Sequence, residues 1–541
     1  MIAQDKSMKK LLELSTMRTL TLVTCLVVFP LAIMLSLNHQ NDMFDLIGKV
    51  KVLGEKAFNV TQFGGEQDSP QPDRDVLLGG LLASGFDQES CLSRYQSVLY
   101  RKPSTKIPSS YLISKLRNYE KLHKKCEPYS ESYNRTIKIL GSKNISGPTE
   151  CNYMVWTAQE GLGNRILSIT SAFLYSLITN RVLLVEFYPD MMDLFCEPIL
   201  NSTWLLPEDF PNEFRWSKNR PTFGNLMRSN VINATTEFPP SELFIYIASR
   251  LDFFDLLIYC EENHVLLLQK VPWLFLKSDE YFLPSFFLMS NFREDLDMMF
   301  PDKESVFHHL GRYLFHPSNK AWGLITRFYD SYLATAEELL AIQVRVFKPK
   351  SNPFDKLMDQ ILACTSQENL LPEIDKNKLI KSSNPSKNRT SKAILIASLY
   401  TKFSENITNM YWTFPTKKGE LISVYQPSHE GSQHFGDNVH NMKAWVEMNL
   451  LSFSNVLVTS SGSTFGYVAQ GFAGLRPWVL TRPENWNTSE PACRVGVSVE
   501  PCLHIPPSYD CKAEKNADMG EIVSYVKHCD DLPSGLKLVS N

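Results

Sequence analysis

The stretch that decides the fold class is residues 153–186, YMVWTAQEGLGNRILSITSAFLYSLITNRVLLVE. Its first five residues are an apolar run that predicts a buried strand, and VLLVE predicts a second strand. Between them, QEGLGN is a tight glycine loop, and residues 165–179 carry apolar side chains at helical spacing. A strand, a short loop, a helix and another strand make a β-α-β unit, which predicts two parallel strands.

Apolar runs in the second half of the chain predict a second parallel sheet. The candidates are AIQVRVF (341–347), AILIASLY (393–400), LISVYQ (421–426) and NVLVTSS (455–461). Continuous apolar runs of this kind are typical of strands that are buried on both faces. The sequence therefore predicts an α/β protein with two Rossmann-like domains, residues 79–325 and 326–541, the second ending in a disulfide-rich tail.

Residues 19–37, TLTLVTCLVVFPLAIMLSL, carry no charge and predict a membrane-spanning signal anchor. At about 1.5 Å per residue the run is roughly 28 Å long, close to a hydrocarbon core of about 30 Å. Basic residues precede it and acidic ones follow, so residues 1–18 are predicted to be cytoplasmic and 38–78 to form a lumenal stem. A cleaved signal peptide is the alternative, but no A-x-A-like cleavage site follows the run.

Cysteines and glycosylation sequons fit a lumenal location for everything after the anchor. Ten of the eleven cysteines follow it, an even number that permits up to five disulfides in an oxidising compartment. Eight predicted glycosylation sites also follow it, at Asn59, Asn134, Asn144, Asn201, Asn233, Asn388, Asn406 and Asn487.

Charge and motif content argue against several other classes of function. The net charge of the 541-residue chain is -3, whereas a nucleic-acid-binding protein would be strongly basic. The D-x-D sequence at 73–75 lies in the predicted stem, and the one at 295–297 lies in a helical stretch. His308 and His309 lack a third ligand at suitable spacing, so they are interpreted as structural and no metal site is predicted.

The glycine loop of the first unit is a candidate ligand site. Gly161 and Gly163 permit a sharp turn and a close approach of the backbone to a ligand. The helix that follows presents free N–H groups, and Asn164 and Arg165 would add side-chain donors. The alternative is a plain turn in which Arg165 belongs to a structural ion pair.

Two features of the second half predict a phosphate site. Arg345 lies near the C-terminal end of a predicted strand, where open α/β sheets bind ligands, and a guanidinium can hold a diphosphate. The alternative is a buried arginine paired with an acid. The segment SSGSTFG (460–466) opens a predicted helix and also suits a phosphate, although serines and threonines equally form ordinary N-caps.

Acidic and polar residues are candidates for handling a sugar hydroxyl. Asp279 lies between the two domain patterns, and the alternative is that Asp279 and Glu280 are surface charges. His440 and Asn441 precede a predicted helix, where they either contact a ligand or cap the helix. Glu447 on that helix has the same two interpretations.

Long segments of the chain resemble the plant cell-wall fucosyltransferases, a family that includes the xyloglucan α-1,2-fucosyltransferase and relatives acting on arabinogalactan proteins. The resemblance runs from about Leu77 to the C-terminus, through GLGNRILSITSAFLYSLITNRVLLV, DLFCEP, KVPWLFLKSDEYFLP, VFHHLGRYLFHPSN, IQVRVF and STFGYVAQG. It implies a Golgi membrane enzyme of the two-domain GT-B type, with the domains facing a cleft. Such an enzyme transfers L-fucose from GDP-fucose with inversion and requires no metal.

The resemblance also implies roles for individual residues. Asp279 matches an acid of the acceptor region, as a base or as an acceptor-binding residue. The cleft loop is formed by Gly161, Gly163, Asn164 and Arg165. The donor-binding positions are Arg345, His440, Asn441, Ser463, Thr464, Phe465 and Gly466.

Departures from the family pattern concern the acceptor. Relatives usually show C-Y-G where this chain has Thr222-Phe223-Gly224, so a xyloglucan-like and an arabinogalactan-like acceptor both stay open. The expected partners are GDP-fucose, the glycan acceptor and the Golgi membrane, and a homo- or hetero-oligomer is compatible with the sequence. The alternative function is that of a non-catalytic Golgi scaffold or partner protein with the same fold.

Overall fold

The first half of the chain is organised around one parallel four-stranded sheet. The computed structural model describes residues 77–142, 149–217, 219–248, 251–351, 353–377, 390–481 and 490–540. The strand order is β2-β1-β4-β3. The strands are β1 (Tyr153–Thr157), β2 (Val182–Val185), β3 (Glu242–Ile247) and β4 (Trp273–Ser278). The predicted β-α-β unit is confirmed, because β1 and β2 pair in parallel on either side of a helix at Leu162–Ile178.

A six-stranded sheet organises the second half, in the order β10-β9-β8-β5-β6-β7. Its strands are β5 (Glu338–Val344), β6 (Ser391–Ser398), β7 (Leu421–Tyr425), β8 (Val456–Ser460), β9 (Trp478–Leu480) and β10 (Cys493–Val495). All pairs are parallel except the one between β9 and β10. The four predicted strands are confirmed as β5 to β8. Because β5 ends at Val344, Arg345 lies immediately beyond the strand.

Helices cover both sheets, and several begin at a capping side chain. Ser109 accepts a hydrogen bond from the N–H of Leu112, and Asp437 accepts from Val439 and His440, which stabilises the starts of two helices. The helices within the described residues are α1 (Ser93–Tyr100), α2 (Ser110–Lys125), α3 (Glu131–Ile137), α4 (Leu162–Ile178), α5 (Phe223–Arg228), α6 (Phe253–Leu256), α7 (Glu261–Leu266), α8 (Arg293–Met299), α9 (Val306–Leu314), α10 (Asn319–Phe328), α11 (Phe354–Gln367), α12 (Lys402–Thr413), α13 (Asn438–Ser452) and α14 (Thr464–Ala473).

The hydrophobic core runs continuously from the first sheet into the second half. Helix α4 is buried along nearly its whole length, because it packs against β1, α9 and α14. Trp445 of α13 and Phe472 of α14 belong to the same apolar cluster as Ile166 of α4. The central strands of the second sheet are buried on both faces: Ile394 and Ile396 of β6 face one cluster, and Ala393, Leu395 and Ala397 face another. Such burial explains the uninterrupted apolar runs of its strands.

The C-terminal tail packs against the first half of the chain. Its two small antiparallel sheets pair β11 (Tyr509–Asp510) with β12 (Lys515–Asn516) and β13 (Val526–His528) with β14 (Leu536–Leu538). Leu503, Leu536 and Leu538 lie in the core cluster of the first sheet. Fully buried Glu500 accepts hydrogen bonds from the hydroxyl of Tyr281 and the N–H of Phe307, at 2.6 and 2.8 Å. The predicted bounds of the two domains stay a prediction.

Five disulfides join the ten cysteines that follow the predicted anchor. They are Cys91–Cys196, Cys126–Cys151, Cys260–Cys511, Cys364–Cys493 and Cys502–Cys529. The expected disulfide content is thereby confirmed. Cys260–Cys511 ties the tail to the segment before β4 across 251 residues of sequence.

Removing the Cys260–Cys511 bond is expected to destabilise the protein by about 2–5 kcal/mol, because the unfolded chain regains a large loop. The double variant Cys260→Ser/Cys511→Ser is compared with wild type by urea unfolding. The matched control is Cys126→Ser/Cys151→Ser, which opens a loop of only 25 residues and is expected to lose less. A larger loss for the short loop would contradict the entropic explanation.

Several predictions fall on residues outside the described ranges. They include the cytoplasmic tail, the anchor, nearly all of the stem and four sequons, at Asn59, Asn144, Asn388 and Asn487. The side chains of Asn134 and Asn201 are exposed, and those of Asn233 and Asn406 are half-buried. In the described ranges, no helix has both the length and the apolar character needed to cross a membrane.

Candidate active site

A cleft of about 310 Å³ lies where the carboxyl ends of the two parallel sheets meet. Ligands of open α/β folds bind at these strand ends, because loops and helix N-termini converge there. The predicted residues that line the cleft are Gly161, Gly163, Asn164, Arg345, His440, Asn441, Ser463, Thr464 and Phe465. Arg165, Asp279 and Gly466 are not among the lining residues.

Two helix N-termini meet at the cleft, one from each half of the chain. A Cβ at Gly163 would lie 2.9 Å from Oγ1 of Thr464 and 3.1 Å from the backbone nitrogen of Phe465, so only glycine permits this approach of α4 to α14. Thr464 donates a 2.9 Å hydrogen bond to Oδ1 of Asn164 across the junction. Free N–H groups and the positive ends of two helix dipoles are therefore directed at the same space, which favours an anion.

The start of α14 is available for a ligand. Ser463 occupies the N-cap position of α14, but its side chain makes no capping hydrogen bond. The interpretation of this serine as an ordinary side-chain cap is therefore wrong. Gly466, one turn further on, permits close packing against β8, since a Cβ there would lie 3.0 Å from the side chain of Thr459.

Arg345 reaches into the cleft without an acidic partner among the described residues. Its Nη2 donates a 2.7 Å hydrogen bond to Oε1 of Gln433, and its backbone N–H donates to Oγ of Ser460 at 2.9 Å. Burial lowers the pKa of Arg345 below the ordinary value for arginine. The alternative prediction, a buried arginine paired with an acid, is therefore wrong for the described residues. The charge of Arg345 is available to an anionic ligand.

Arg165 forms an ion pair at the junction of the two halves instead of facing the cleft, which corrects its assignment to the ligand-binding loop. Its Nη1 lies 2.9 Å from both carboxylate oxygens of Asp190. Nδ2 of Asn441 donates to the carbonyl and to Oδ2 of the same aspartate, at 3.0 and 3.2 Å. All three side chains are buried. The structural ion pair, which the sequence left as the alternative, is what forms.

Asp279 and Glu280 are buried at the end of β4, so their interpretation as surface charges is wrong. They are 6% and 5% exposed, respectively. The carbonyl of Asp279 accepts a 3.1 Å hydrogen bond from Asn164, whose other side faces Thr464. Oε2 of Glu280 accepts from the N–H of His504, and burial raises the pKa of Glu280 to about 7. Asp279 thus lies directly behind a residue of the cleft wall.

His440 and Asn441 belong to the first turn of α13, whose cap is Asp437 and not either of them. His440 lines the cleft, and its buried Nδ1 has no hydrogen-bond partner in the described part of the chain. Burial lowers the pKa of His440, which favours the neutral imidazole. A neutral ring with an unused nitrogen suits a hydrogen bond with a bound ligand.

Glu447 lies one helical turn beyond Ala444 on the wall of the cleft and is buried. Its Oε1 accepts a 2.7 Å hydrogen bond from Oγ of Ser428. Burial nonetheless raises the pKa of Glu447 to about 8. The carboxyl group therefore carries a proton at neutral pH and is able to act as a hydrogen-bond donor.

The raised pKa of Glu447 predicts that the contribution of this residue to stability falls as pH rises from about 5 to about 8. In this window the unfolded chain has already released the proton, because the ordinary pKa is 4.5, while the folded protein still holds it. Glu447→Gln is expected to reduce the fall by about 1 kcal/mol or more, measured by urea unfolding at the two pH values. Burial also raises the pKa values of Glu280 and Glu500, so part of the decrease of stability with pH is expected to remain in the Glu447→Gln variant. Buried histidines such as His123 and His264, whose pKa values burial lowers, contribute the opposite slope below about pH 6.5.

Glu150→Gln is the control for that experiment. Hydrogen bonds from Lys125 and Arg135 lower the pKa of Glu150 to about 2, so its carboxyl group is ionised in both folded and unfolded chains over most of the range from pH 5 to 8. It is expected to leave the slope unchanged between pH 5 and 8. An equal reduction by both variants would show that Glu447 is not the source of the slope.

The loop that closes one side of the cleft, residues 427–437, was not predicted from the sequence. Ser428, Glu430 and Gln433 of this loop line the cleft, as do Lys443 and His504. The side chain of Gln433 contacts both halves, since its Nε2 lies 2.5 Å from where a Cβ on Gly161 would be placed. The signal for this loop was its dense polar and glycine content, PSHEGSQHFGD, between a strand and a helix.

His308 has structural contacts, as interpreted from the sequence. Nδ1 of His308 lies 2.9 Å from the carbonyl of Gly471, and Nε2 lies 3.0 Å from Oγ of Ser104. In the described ranges, the group of ligand-type side chains that converges is Cys502, Cys529 and Asp531, and both cysteines are in a disulfide. Asp295 and Asp297 lie on α8, as expected of a helical segment.

Comparison with known proteins adds to this geometry. The profile of the family described as xyloglucan fucosyltransferase matches residues 54–512. A galactoside 2-alpha-L-fucosyltransferase of Arabidopsis thaliana is 49% identical over 541 residues, covering 98% of this chain and 94% of its own. One from Pisum sativum is 51% identical over 479 residues, covering 88% of this chain and 84% of its own.

A solved structure of a mutant of Arabidopsis thaliana FUT1, in complex with GDP, has the same fold. It superimposes with a TM-score of 0.80 at 51% identity, covering 86% of this chain and 100% of that chain. The α/β architecture with two parallel sheets is therefore shared with a known fucosyltransferase. From the profile match and the extent of these identities, the chain belongs to the xyloglucan fucosyltransferase family.

Proposed function

We propose that this protein transfers L-fucose from GDP-fucose to a galactoside of a cell-wall polysaccharide or proteoglycan glycan, forming an α-1,2 linkage. The observation that carries the proposal is the anion site in the cleft, where Arg345 and the N-termini of α4 and α14 converge. Relatives named galactoside 2-alpha-L-fucosyltransferase and a similar structure in complex with GDP support the donor and the acceptor class.

Charge separates during the reaction, and the cleft carries groups that would stabilise the negative charge. As the bond between fucose C1 and the β-phosphate oxygen breaks, negative charge grows on the departing GDP. Arg345, the hydroxyl of Ser463 and the free N–H groups of α14 would stabilise that charge more strongly than they stabilise intact donor. The acceptor oxygen attacks C1 from the opposite face, which inverts the configuration.

The proton of the acceptor hydroxyl must be taken up, and we propose Asp279 for this step or for holding the acceptor. It follows β4 at the same sheet edge as the glycine loop and is joined to that loop through Asn164. Asp279→Asn separates the two roles. A fall in kcat with unchanged acceptor KM supports proton uptake, whereas a rise in acceptor KM alone supports acceptor binding.

Metal independence and location are parts of the same proposal. Cationic and N–H groups of the chain supply the charge that a metal supplies elsewhere, so EDTA is expected to leave turnover unchanged. Five disulfides suit an oxidising compartment, and the uncharged run at 19–37 with its basic flank suits a type II anchor in the Golgi membrane. Microscopy of the tagged full chain, with a protease-protection assay, tests the location and orientation.

The decisive experiment uses the full chain, purified in detergent, with GDP-fucose and two acceptor panels. One panel is galactosylated xyloglucan oligosaccharides and the other is arabinosylated arabinogalactan glycans, with linkage analysis of the products. Fucosylation of galactose at O2 is the expected result. Binding of GDP-fucose without transfer to either panel or to water would overturn the proposal in favour of a non-catalytic scaffold.

A further inference from the structure

Two aromatic rings form a half-exposed surface at the carboxyl edge of the first sheet. Tyr246 is the penultimate residue of edge strand β3, and Trp216 belongs to the loop that precedes α5. Their ring centroids are 6.1 Å apart with 30° between the planes, so the two rings are stacked. Neither side chain is fully buried, and each presents part of an apolar ring to solvent.

Polar groups border the two rings. Nζ of Lys277 lies over the ring of Trp216, 5.8 Å from its centre, and Lys277 is the register neighbour of Tyr246 across β3 and β4. The hydroxyl of Tyr246 is 3.5 Å from Nε2 of Gln159, in the loop after β1. Gln159 and Lys277 are also half-exposed. An apolar surface bordered by an amide and an ammonium group is therefore built at one place.

The ring pair is held in position by buried aromatics. Trp216 packs edge-on against Phe244, at 5.9 Å between ring centres, and Phe244 stacks on Phe275 of β4 at 4.8 Å. The guanidinium of Arg220 lies 4.9 Å over the ring of Phe244. A surface fixed in this way binds a ligand without first having to order its own side chains.

This surface lies at the carboxyl edge of the first sheet, where the cleft also lies. Gln159 precedes the cleft-lining Gly161 by two residues, and Lys277 precedes Asp279 by two. Strand β3 is two strands away from β1 in the sheet, a separation of roughly 10 Å. A glycan bound with its reacting sugar in the cleft would reach the ring pair with a neighbouring sugar.

From these observations we propose that Trp216 and Tyr246 form a remote acceptor subsite, which binds a neutral sugar residue next to the one that is fucosylated. The C–H face of the sugar stacks on the rings, while its hydroxyl edge is within reach of Lys277 and Gln159. Tryptophan and tyrosine suit this task because they join a large apolar face to a polar edge. The subsite deepens the proposed function, on which its role in catalysis rests.

The test compares Trp216→Leu, Trp216→Phe and wild type with a long galactosylated xyloglucan oligosaccharide and with a short galactose-terminated disaccharide. Trp216→Leu is expected to raise KM for the long acceptor about 10-fold, with Trp216→Phe recovering most of the loss. The change in KM for the disaccharide and for GDP-fucose is expected to be much smaller. Trp412→Ala is the matched control, because Trp412 is 73% exposed on α12, and it is expected to change none of these values.

Binding measured without turnover keeps this test separate from that of the proposed function. Calorimetric titration of the long oligosaccharide into the full chain is expected to show about 10-fold weaker binding for Trp216→Leu. If wild type bound the oligosaccharide but transferred no fucose, the proposed function would fail and the subsite would stand. The subsite proposal would be overturned if wild type and a folded Trp216→Leu variant bound the oligosaccharide equally well. It would also be overturned if the variant lost as much affinity for GDP as for the oligosaccharide.

Discussion

Replacing Arg345 with alanine is expected to lower the rate of fucose transfer at least about 100-fold while the protein stays folded. Its guanidinium lies at the end of β5, in the cleft, with Gln433 as its side-chain hydrogen-bond partner in the described ranges. Without it, the charge that grows on the leaving diphosphate loses a fixed cation. No acid loses its partner in the variant, so little destabilisation is expected.

The measurement is kcat for transfer, alongside the thermal unfolding midpoint. Arg345→Lys keeps the charge but loses the forked geometry, and an intermediate rate is expected. Arg135→Ala is the matched control, since Arg135 lies on the surface helix α3 and pairs with Glu131 and Glu150. Near-normal transfer by folded Arg345→Ala would show that other groups meet the leaving-group charge.

Asp190→Ala is expected to lower the free energy of unfolding by about 3–5 kcal/mol, because it leaves a buried guanidinium without its counter-charge. Both carboxylate oxygens of Asp190 accept a hydrogen bond from Arg165, and the variant removes them. Asn441 loses a hydrogen-bond acceptor in the same variant. These residues join α4 in the first half to α13 in the second. The loss therefore loosens the cleft as well as the core.

Urea unfolding of Asp190→Ala and Lys320→Ala compares a buried pair with an exposed one. Lys320 lies 3.4 Å from Asp193, and both side chains are more than half exposed. Water and salt screen such a pair, so Lys320→Ala is expected to change stability by less than about 1 kcal/mol. If Asp190→Ala lost no more than Lys320→Ala, the buried pair would not stabilise the junction.

Three strands of the second sheet were predictable because both of their faces have the same apolar surroundings, whereas β9 and β10 were not predicted. Strands β5, β6 and β8 are covered on both faces, and their sequences are continuous apolar runs between polar segments. Strands β3 and β4 were missed. Their apolar runs, LFIYI (243–247) and WLFL (273–276), are followed within a few residues by the further apolar segments FFDLLIY (253–259) and YFLPSFFL (281–288), so no long polar segment marks where these strands end.

In the candidate site, local patterns could be predicted and long-range partners could not. The glycine loop and Arg345 could be predicted because each directly follows a strand, and the ends of these strands form the cleft. Whether Arg165 faces a ligand or an acid depends on Asp190, which lies 25 residues away in an irregular segment. The position of Gln433 depends likewise on a loop whose sequence has no periodicity. The raised pKa of Glu447 depends on how deeply the packing of α13 buries that side chain.

The packing of the C-terminal tail on the first sheet sets a rule for building chimaeras between relatives. A crossover placed between the two sheets would pair the first half of one parent with the tail of another. Leu503 and Leu536 would then meet a foreign apolar surface, and Glu500 a foreign Tyr281 and Phe307. A hybrid designed to exchange acceptor preference therefore has to inherit residues 499–540 from the same parent as residues 77–325.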